Sequence, residues 1–120
     1  IDESYIFVGK NNLQNEYITH KLARKDDYFL HVKDMTGSHV IVRHEGKLTE
    51  KILRIAANLA AYYSKGKLSS SVPVDYTLVK NVKKVPGSKF GFVTYTNQKT
   101  IYIDPDEDLI HSLKKNLISK

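Results

Sequence analysis

Residues 29–43 read Phe29-Leu30-His31-Val32-Lys33-Asp34-Met35-Thr36-Gly37-Ser38-His39-Val40-Ile41-Val42-Arg43, two short runs on either side of a polar turn. Each run alternates in character. Strand side chains point to opposite faces in turn. Tyr28, Leu30 and Val32 therefore share one face with Val40 and Val42, whereas Phe29, His31 and Lys33 share the other with His39, Ile41 and Arg43. If the Asp-Met-Thr-Gly-Ser segment closes a hairpin, the first face is aliphatic and builds a core. The second is basic and imidazole-rich and carries an aromatic ring, the composition of a nucleic-acid surface. Within the turn, Gly37 reads as a residue at positive φ and Ser38 as one that bonds the backbone. A Gly-Ser turn with exposed N–H groups also suits a phosphate oxygen.

Upstream, Ser4 to Val8 reads as a strand stopped by Gly9-Lys10-Asn11-Asn12, whose asparagines favour a turn and can cap a helix. That helix runs from Leu13 to about Arg24, with Leu13, Tyr17, Ile18 and Leu22 at helical spacing. Downstream, Thr49 is the expected N-cap of a helix from Glu50 to about Ser64. Its stripe of Ile52, Ile55, Ala56, Leu59 and Tyr63 should be buried, with alanines allowing close approach to a sheet. Lys51, Arg54, Asn58, Tyr62 and Lys65 form the opposite, solvated face. Lys65 to Ser71 is a flexible polar loop. Val74 to Val82 reads as a strand, and Phe92–Thr96 and Thr100–Ile103 as two more, joined in a hairpin by Asn97-Gln98-Lys99. Phe92 should enter the core, leaving Phe90 to stack on a base. A last helix follows Pro105 and carries Leu109, Ile110, Leu113, Leu117 and Ile118. The sum is an α+β fold, a largely antiparallel β-sheet packed with about three helices.

A chain of 120 residues suits one domain with its own core, so residues 1–120 are read as a single domain. It starts at Ile1, which suggests excision from a longer protein. Nineteen Lys and Arg against thirteen Asp and Glu give a net charge of +6, which favours a polyanionic partner. The absence of cysteine removes disulfides, thiolate metal sites and thiol nucleophiles. No apolar run approaches the roughly 20 residues that cross a bilayer.

The chemistry these residues support is binding. Five histidines are present, but no pair has the i, i+4 spacing of a zinc helix and no carboxylate clearly completes a metal site. Ser38 and His39 are strand neighbours that point apart, a poor nucleophile pair. His31 and His39 share a face, yet no third group completes an acid–base site. No catalytic residue, metal or cofactor is therefore expected. The Lys83, Lys84 and Lys89 loop around Pro86-Gly87-Ser88 supplies cations for phosphate contacts.

Gly9-Lys10-Asn11-Asn12 with Gln14-Asn15, Asp27 through Leu30-His31-Val32-Lys33-Asp34, and Gly37-Ser38-His39-Val40 together resemble the NFACT-R domain. So do Val74-Asp75-Tyr76-Thr77, Val82-Lys83-Lys84, Gly87, Lys89, Gly91-Phe92-Val93 and Lys99-Thr100-Ile101-Tyr102. The resemblance spans nearly the whole chain. It implies the C-terminal, RNA-binding domain of an RqcH-type ribosome quality control factor in the cytoplasm. Such factors bind large ribosomal subunits with stalled peptidyl-tRNA and recruit alanyl-tRNA. It implies as alternatives a fibronectin partner and a place on the surface of a Gram-positive bacterium. Periodicity and resemblance together nominate Lys10, Asn11, Asn12, Asn15, Phe29, His31, Lys33, Gly37, Ser38, His39, Arg43, Lys83, Lys84 and Lys89 as RNA contacts. This chain departs from the family at Phe29, where Trp is usual, and at Thr36 and Phe90, where Pro is usual.

Overall fold

The computed structural model describes residues 4–87 and 92–115. Strands β1 (Ser4–Val8), β2 (Tyr28–Val32), β3 (Val40–His44), β4 (Val72–Leu78) and β7 (Lys99–Ile103) form one five-stranded antiparallel sheet in the order β1-β3-β2-β4-β7. Strands β5 (Val82–Lys84) and β6 (Val93–Tyr95) form a separate antiparallel pair. The helices are α1 (Asn12–Tyr17), α2 (Glu50–Tyr62) and α3 (Glu107–Lys115). The α+β expectation is met.

The hairpin forms as its alternation requires, with Tyr28 opposite Val42, Phe29 opposite Ile41 and Leu30 opposite Val40. Leu30, Val32, Val40 and Val42 are fully buried against α2, in one cluster with Ile52, Ala56, Ala57, Ala60 and Ala61. Four small side chains let the helix lie close on the sheet, so the aliphatic face loses its water. Thr49 caps α2 by accepting from the Ile52 N–H. Asn58 and Tyr62 are buried, not solvated. Asn58 Oδ1 accepts from the Asp106 N–H at 3.0 Å, just ahead of α3. That bond satisfies an amide at a helix entrance that would otherwise need water.

The opposite face of the sheet is a second core, and the reading of it as an open basic surface is wrong. Phe7, Ile41, Phe29 and Thr77 stand side by side on β1, β3, β2 and β4. The β5–β6 pair and the segment after α1 close over them, with Ile18, Leu22, Val79, Val82, Val93 and Tyr95 around Phe29 and Ile41. Phe29 is wholly buried and His39 only 2% exposed. A sheet with an apolar row on each face has to be covered twice.

Other local expectations also change. Helix α1 begins at its Asn11 cap, but residues 18–22 widen into a π-turn that brings Thr19 Oγ1 to 2.7 Å from His39 Nδ1. Leu13 and Tyr17 stand exposed, and the apolar stripe of this segment narrows to the buried Ile18 and the half-buried Leu22. Strands β6 and β7 make no hairpin: β6 pairs with β5, and β7 pairs with β4 at the sheet edge. Asn97, at φ 58°, turns the chain between the two sheets. Phe92 is exposed, while Phe90, Leu117 and Ile118 lie outside the described residues.

Candidate nucleic-acid interface

The two ends of the β2–β3 turn are stitched to the exit of α2. Ser38 N–H donates to the Tyr63 carbonyl at 2.9 Å, and Lys65 N–H donates to the Thr36 carbonyl at 3.0 Å. Gly37 and Ser64 face one another in an isolated bridge between these bonds. Gly37 is not at positive φ; that conformation falls to Asp34, at 56°. Glycine serves here because a Cβ would sit 2.8 Å from Ser64 Cβ and 2.9 Å from Val32 Cγ2. Close approach, rather than turn geometry, selects it.

Gly9 plays the same part on the other side. A Cβ there would come within 2.9 Å of the Asn15 backbone and closer still to Asn15 Oδ1. That oxygen accepts from the His39 N–H at 3.0 Å, and His39 O in turn accepts from the Gly9 N–H at 3.0 Å. The start of α1 is thereby fixed against the turn. Asn11 Oδ1 accepts from the Gln14 N–H, and Gln14 Oε1 from the Lys10 N–H, a local cap that holds Lys10 in place. The amides of Ser38 and His39 are both spent on these internal bonds, so the turn offers neither of them to a phosphate.

These contacts leave a cleft of about 570 Å³ between the start of α1 and the exit of α2. Lys10, Asn11, Asn12 and Asn15 form one wall and Tyr62, Tyr63, Ser64, Lys65 and Lys67 the other, with Thr36, Gly37 and Ser38 between. Three lysines line it and no carboxylate does. Among the described residues no ion pair engages any of the three. Lys10 Nζ lies 4.7 Å from the centroid of the Tyr63 ring, and Lys67 Nζ lies 4.3 Å from that of Tyr62. The two rings meet edge to face at 5.0 Å. Cationic, aromatic and rich in amide and hydroxyl groups, the cleft has the chemistry of a nucleic-acid groove.

The predicted contacts thus divide. Lys10, Asn11, Asn12, Asn15, Gly37 and Ser38 come together in the cleft, although Asn15 and Ser38 are buried and act on its frame. Phe29 and His39 lie inside the second core, where no nucleic acid reaches their side chains. Arg43 donates from Nε and Nη2 to the buried Asp27 carboxylate, at 2.8 Å for the closest contact, and from Nη2 to the Leu22 carbonyl. That bonding holds the guanidinium still more firmly charged, but it points inward.

His31 is half-buried beside Asp75, and its pKa is lowered by burial, against opposing bonds to the Val32 and Gly37 backbone and the Asp75 charge. Asp75 is itself buried and accepts from Tyr95 Oη and Thr100 Oγ1, each at 2.7 Å, with Lys33 Nζ at 3.7 Å. Burial and the Asp75 carboxylate raise the Tyr95 pKa. This is the polar anchor of β6 on the sheet. Lys83 is exposed, Lys84 pairs with Glu16 at 2.5 Å, and Lys89 lies outside the described residues. Among the described residues no three His, Asp or Glu side chains group as a metal site.

Tyr62, Tyr63, Lys65 and Lys67 also line the cleft and are absent from the contacts nominated from the sequence. Their signal was present in Tyr62-Tyr63-Ser64-Lys65-Gly66-Lys67, an aromatic pair running into a basic loop. Helical periodicity put Tyr63 on the buried stripe and Tyr62 and Lys65 on the solvated face, while Lys67 read as part of a flexible polar loop, and so the group was separated.

A family model described as the NFACT protein RNA binding domain matches residues 1–97, a span that holds both walls of the cleft. The chain belongs to this family. The NFACT domain is 53% identical over 111 residues to the protein named Rqc2 homolog RqcH of Bacillus subtilis strain 168, an overlap of 92% of this chain and 19% of that protein. The namesake from Streptococcus pneumoniae D39 is 47% identical over 114 residues, 95% of this chain and 21% of that one. The NFACT domain described here therefore spans about a fifth of the length of these relatives. Its fold is similar to a solved structure of the C-terminal part of a fibronectin/fibrinogen-binding protein from Streptococcus suis. The TM-score is 0.88 at 44% identity, with 92% of this chain and 45% of that one covered. No helix among the described residues is long and apolar enough to cross a membrane.

Proposed function

We propose that this NFACT domain is an RNA-gripping module of an RqcH-type ribosome quality control factor. In this reading it holds tRNA or large-subunit rRNA in the cytoplasm while other parts of the factor recruit alanyl-tRNA for alanine tailing. The observation that carries the proposal is the cleft: three lysines, two tyrosines and no carboxylate around one concavity. A polyanion meets no repulsion there, and it gains contacts that bulk charge alone would not localise. The domain acts by holding and positioning RNA, and no bond is made or broken in it.

The experiment is a salt titration of fluorescently labelled tRNA binding to wild type and to K10E/K65E/K67E. All three side chains sit on the surface, so the variant should keep its circular dichroism and unfolding midpoint. Removing one lysine–phosphate pairing should reduce the slope of log K against log salt by about 0.7–0.9. The triple variant is expected to lose about 2–3 units of slope and most of its affinity at physiological salt. Unchanged binding by a folded variant would place the interface elsewhere. A fibronectin-binding role draws only on the name of the Streptococcus suis relative. It would gain ground if immobilised fibronectin bound the triple variant as well as wild type, with RNA unable to compete.

A further inference from the structure

Resting on the RNA reading of the cleft, we infer that its specific ligand is an unpaired nucleotide, taken with the base on the tyrosine pair and the flanking phosphates on the lysines. Tyr62 and Tyr63 follow one another at the end of α2, and their rings meet edge to face with centroids 5.0 Å apart. Each carries its own cation: Lys10 Nζ at 4.7 Å from the Tyr63 centroid and Lys67 Nζ at 4.3 Å from that of Tyr62. These two lysines come from different walls, one before α1 and one after α2, and both are exposed.

The arrangement works as an exchange. An ammonium over a ring at an exposed site is weakly held, whereas an ammonium on a phosphate makes a charge-assisted hydrogen bond. A nucleic-acid backbone entering along the rim draws Lys10 and Lys67 from the rings to its phosphates. The ring face that Lys10 covered is then open to a base, whose stacking replaces the attraction the cation gave up. An A-form duplex cannot complete the exchange, because its bases are stacked and paired while its phosphates line the outside. Duplex RNA reaches the lysines alone. The volume of about 570 Å³ lies within the range of small-molecule sites, roughly 300–1,000 Å³, and a nucleotide is a ligand of that class. The half-buried Tyr63 is the stacking ring, and the buried Tyr62 is its support.

The test measures the anisotropy of labelled RNA at one salt concentration with three ligands: a short single strand, its duplex, and the same strand with an abasic position at its centre. Wild type, Y63F, Y63L and K10E/K65E/K67E are compared after their unfolding midpoints have been checked. Y63L is expected to weaken single-strand binding about tenfold, within the range found for base–aromatic stacking. Y63F should bind as wild type does. Duplex affinity should be the same for wild type, Y63F and Y63L, and the abasic strand should bind wild type as weakly as the intact strand binds Y63L. If Y63L weakens duplex and single strand alike, or if the abasic strand binds as tightly as the intact one, the stacking site is refuted while the lysine cleft stands. If the triple lysine variant binds every RNA like wild type, the cleft itself is refuted. Should Y63L fail to fold, the abasic comparison on wild type decides the matter alone.

Discussion

Gly37→Ala isolates the close approach on which the cleft is built. The added Cβ would lie 2.8 Å from Ser64 Cβ and 2.9 Å from Val32 Cγ2, against about 3.5–4.0 Å for carbon atoms at their optimum. Val32 is fixed in the main core, so the turn has to shift away from it and push the α2 exit about 1 Å outward. That movement strains the Ser38–Tyr63 and Lys65–Thr36 backbone bonds that flank the bridge. Overpacking of this kind costs about 1–3 kcal/mol, and each of the two weakened hydrogen bonds adds about 0.5 kcal/mol. The sum is about 2–4 kcal/mol out of a total stability on the order of 5–15 kcal/mol. Urea denaturation should show that loss as a lower midpoint at unchanged m-value, and thermal unfolding as a drop of about 10–15 °C. RNA affinity should fall as well, since Tyr63 and Lys65 move with the α2 exit. Gly46→Ala is the control: Gly46 has φ 78° with open space around the added carbon, and the change should cost only about 1–2 kcal/mol. Gly37→Asn, which a left-handed turn position tolerates, should be worse than alanine here. If Gly37→Ala is no more damaging than Gly46→Ala and leaves RNA binding intact, the close-approach argument is wrong.

Arg43→Lys should lose about 1–2 kcal/mol in chemical denaturation, because an ammonium cannot reproduce the forked contact with Asp27 and the bond to Leu22 O together. Tyr95→Phe removes one of the hydroxyls that satisfy the buried Asp75, at a cost of about 1–3 kcal/mol, and hydrogen exchange should show β5 and β6 opening earlier than the main sheet. The pH dependence follows from His20 and His31, both held below their ordinary pKa chiefly by burial. In that window the unfolded chain binds more protons than the folded one, so stability is full above about pH 6.5 and falls as pH drops through the lowered folded values. Urea midpoints at pH 7.5 and 5.5 should differ in that direction, and the difference should shrink in His31→Gln.

The sequence alone determined the hairpin, the caps and the α+β class, because each depends on neighbours close in the chain. Alternation from Tyr28 to Val32 and from Val40 to Arg43 is a local property of strands, and Thr49 and Asn11 cap their helices through bonds to residues three positions on. Only the tertiary structure decided what covers the second face of the sheet. Phe29 and His39 looked like an aromatic and a cation beside Lys33 and Arg43. The fate of that face depends on Val79, Val82, Val93 and Tyr95, some 40 to 66 positions later in the chain. The same holds for the cleft. Lys10 and Tyr63 are 53 positions apart, and neither helical nor strand periodicity relates them. They meet because Gly9 and Gly37 let two backbones approach more closely than any side chain allows, an approach that the sequence records only as two glycines. Periodicity reports which way a side chain points from its own element, and packing between elements decides whether water, another strand or a ligand lies in that direction.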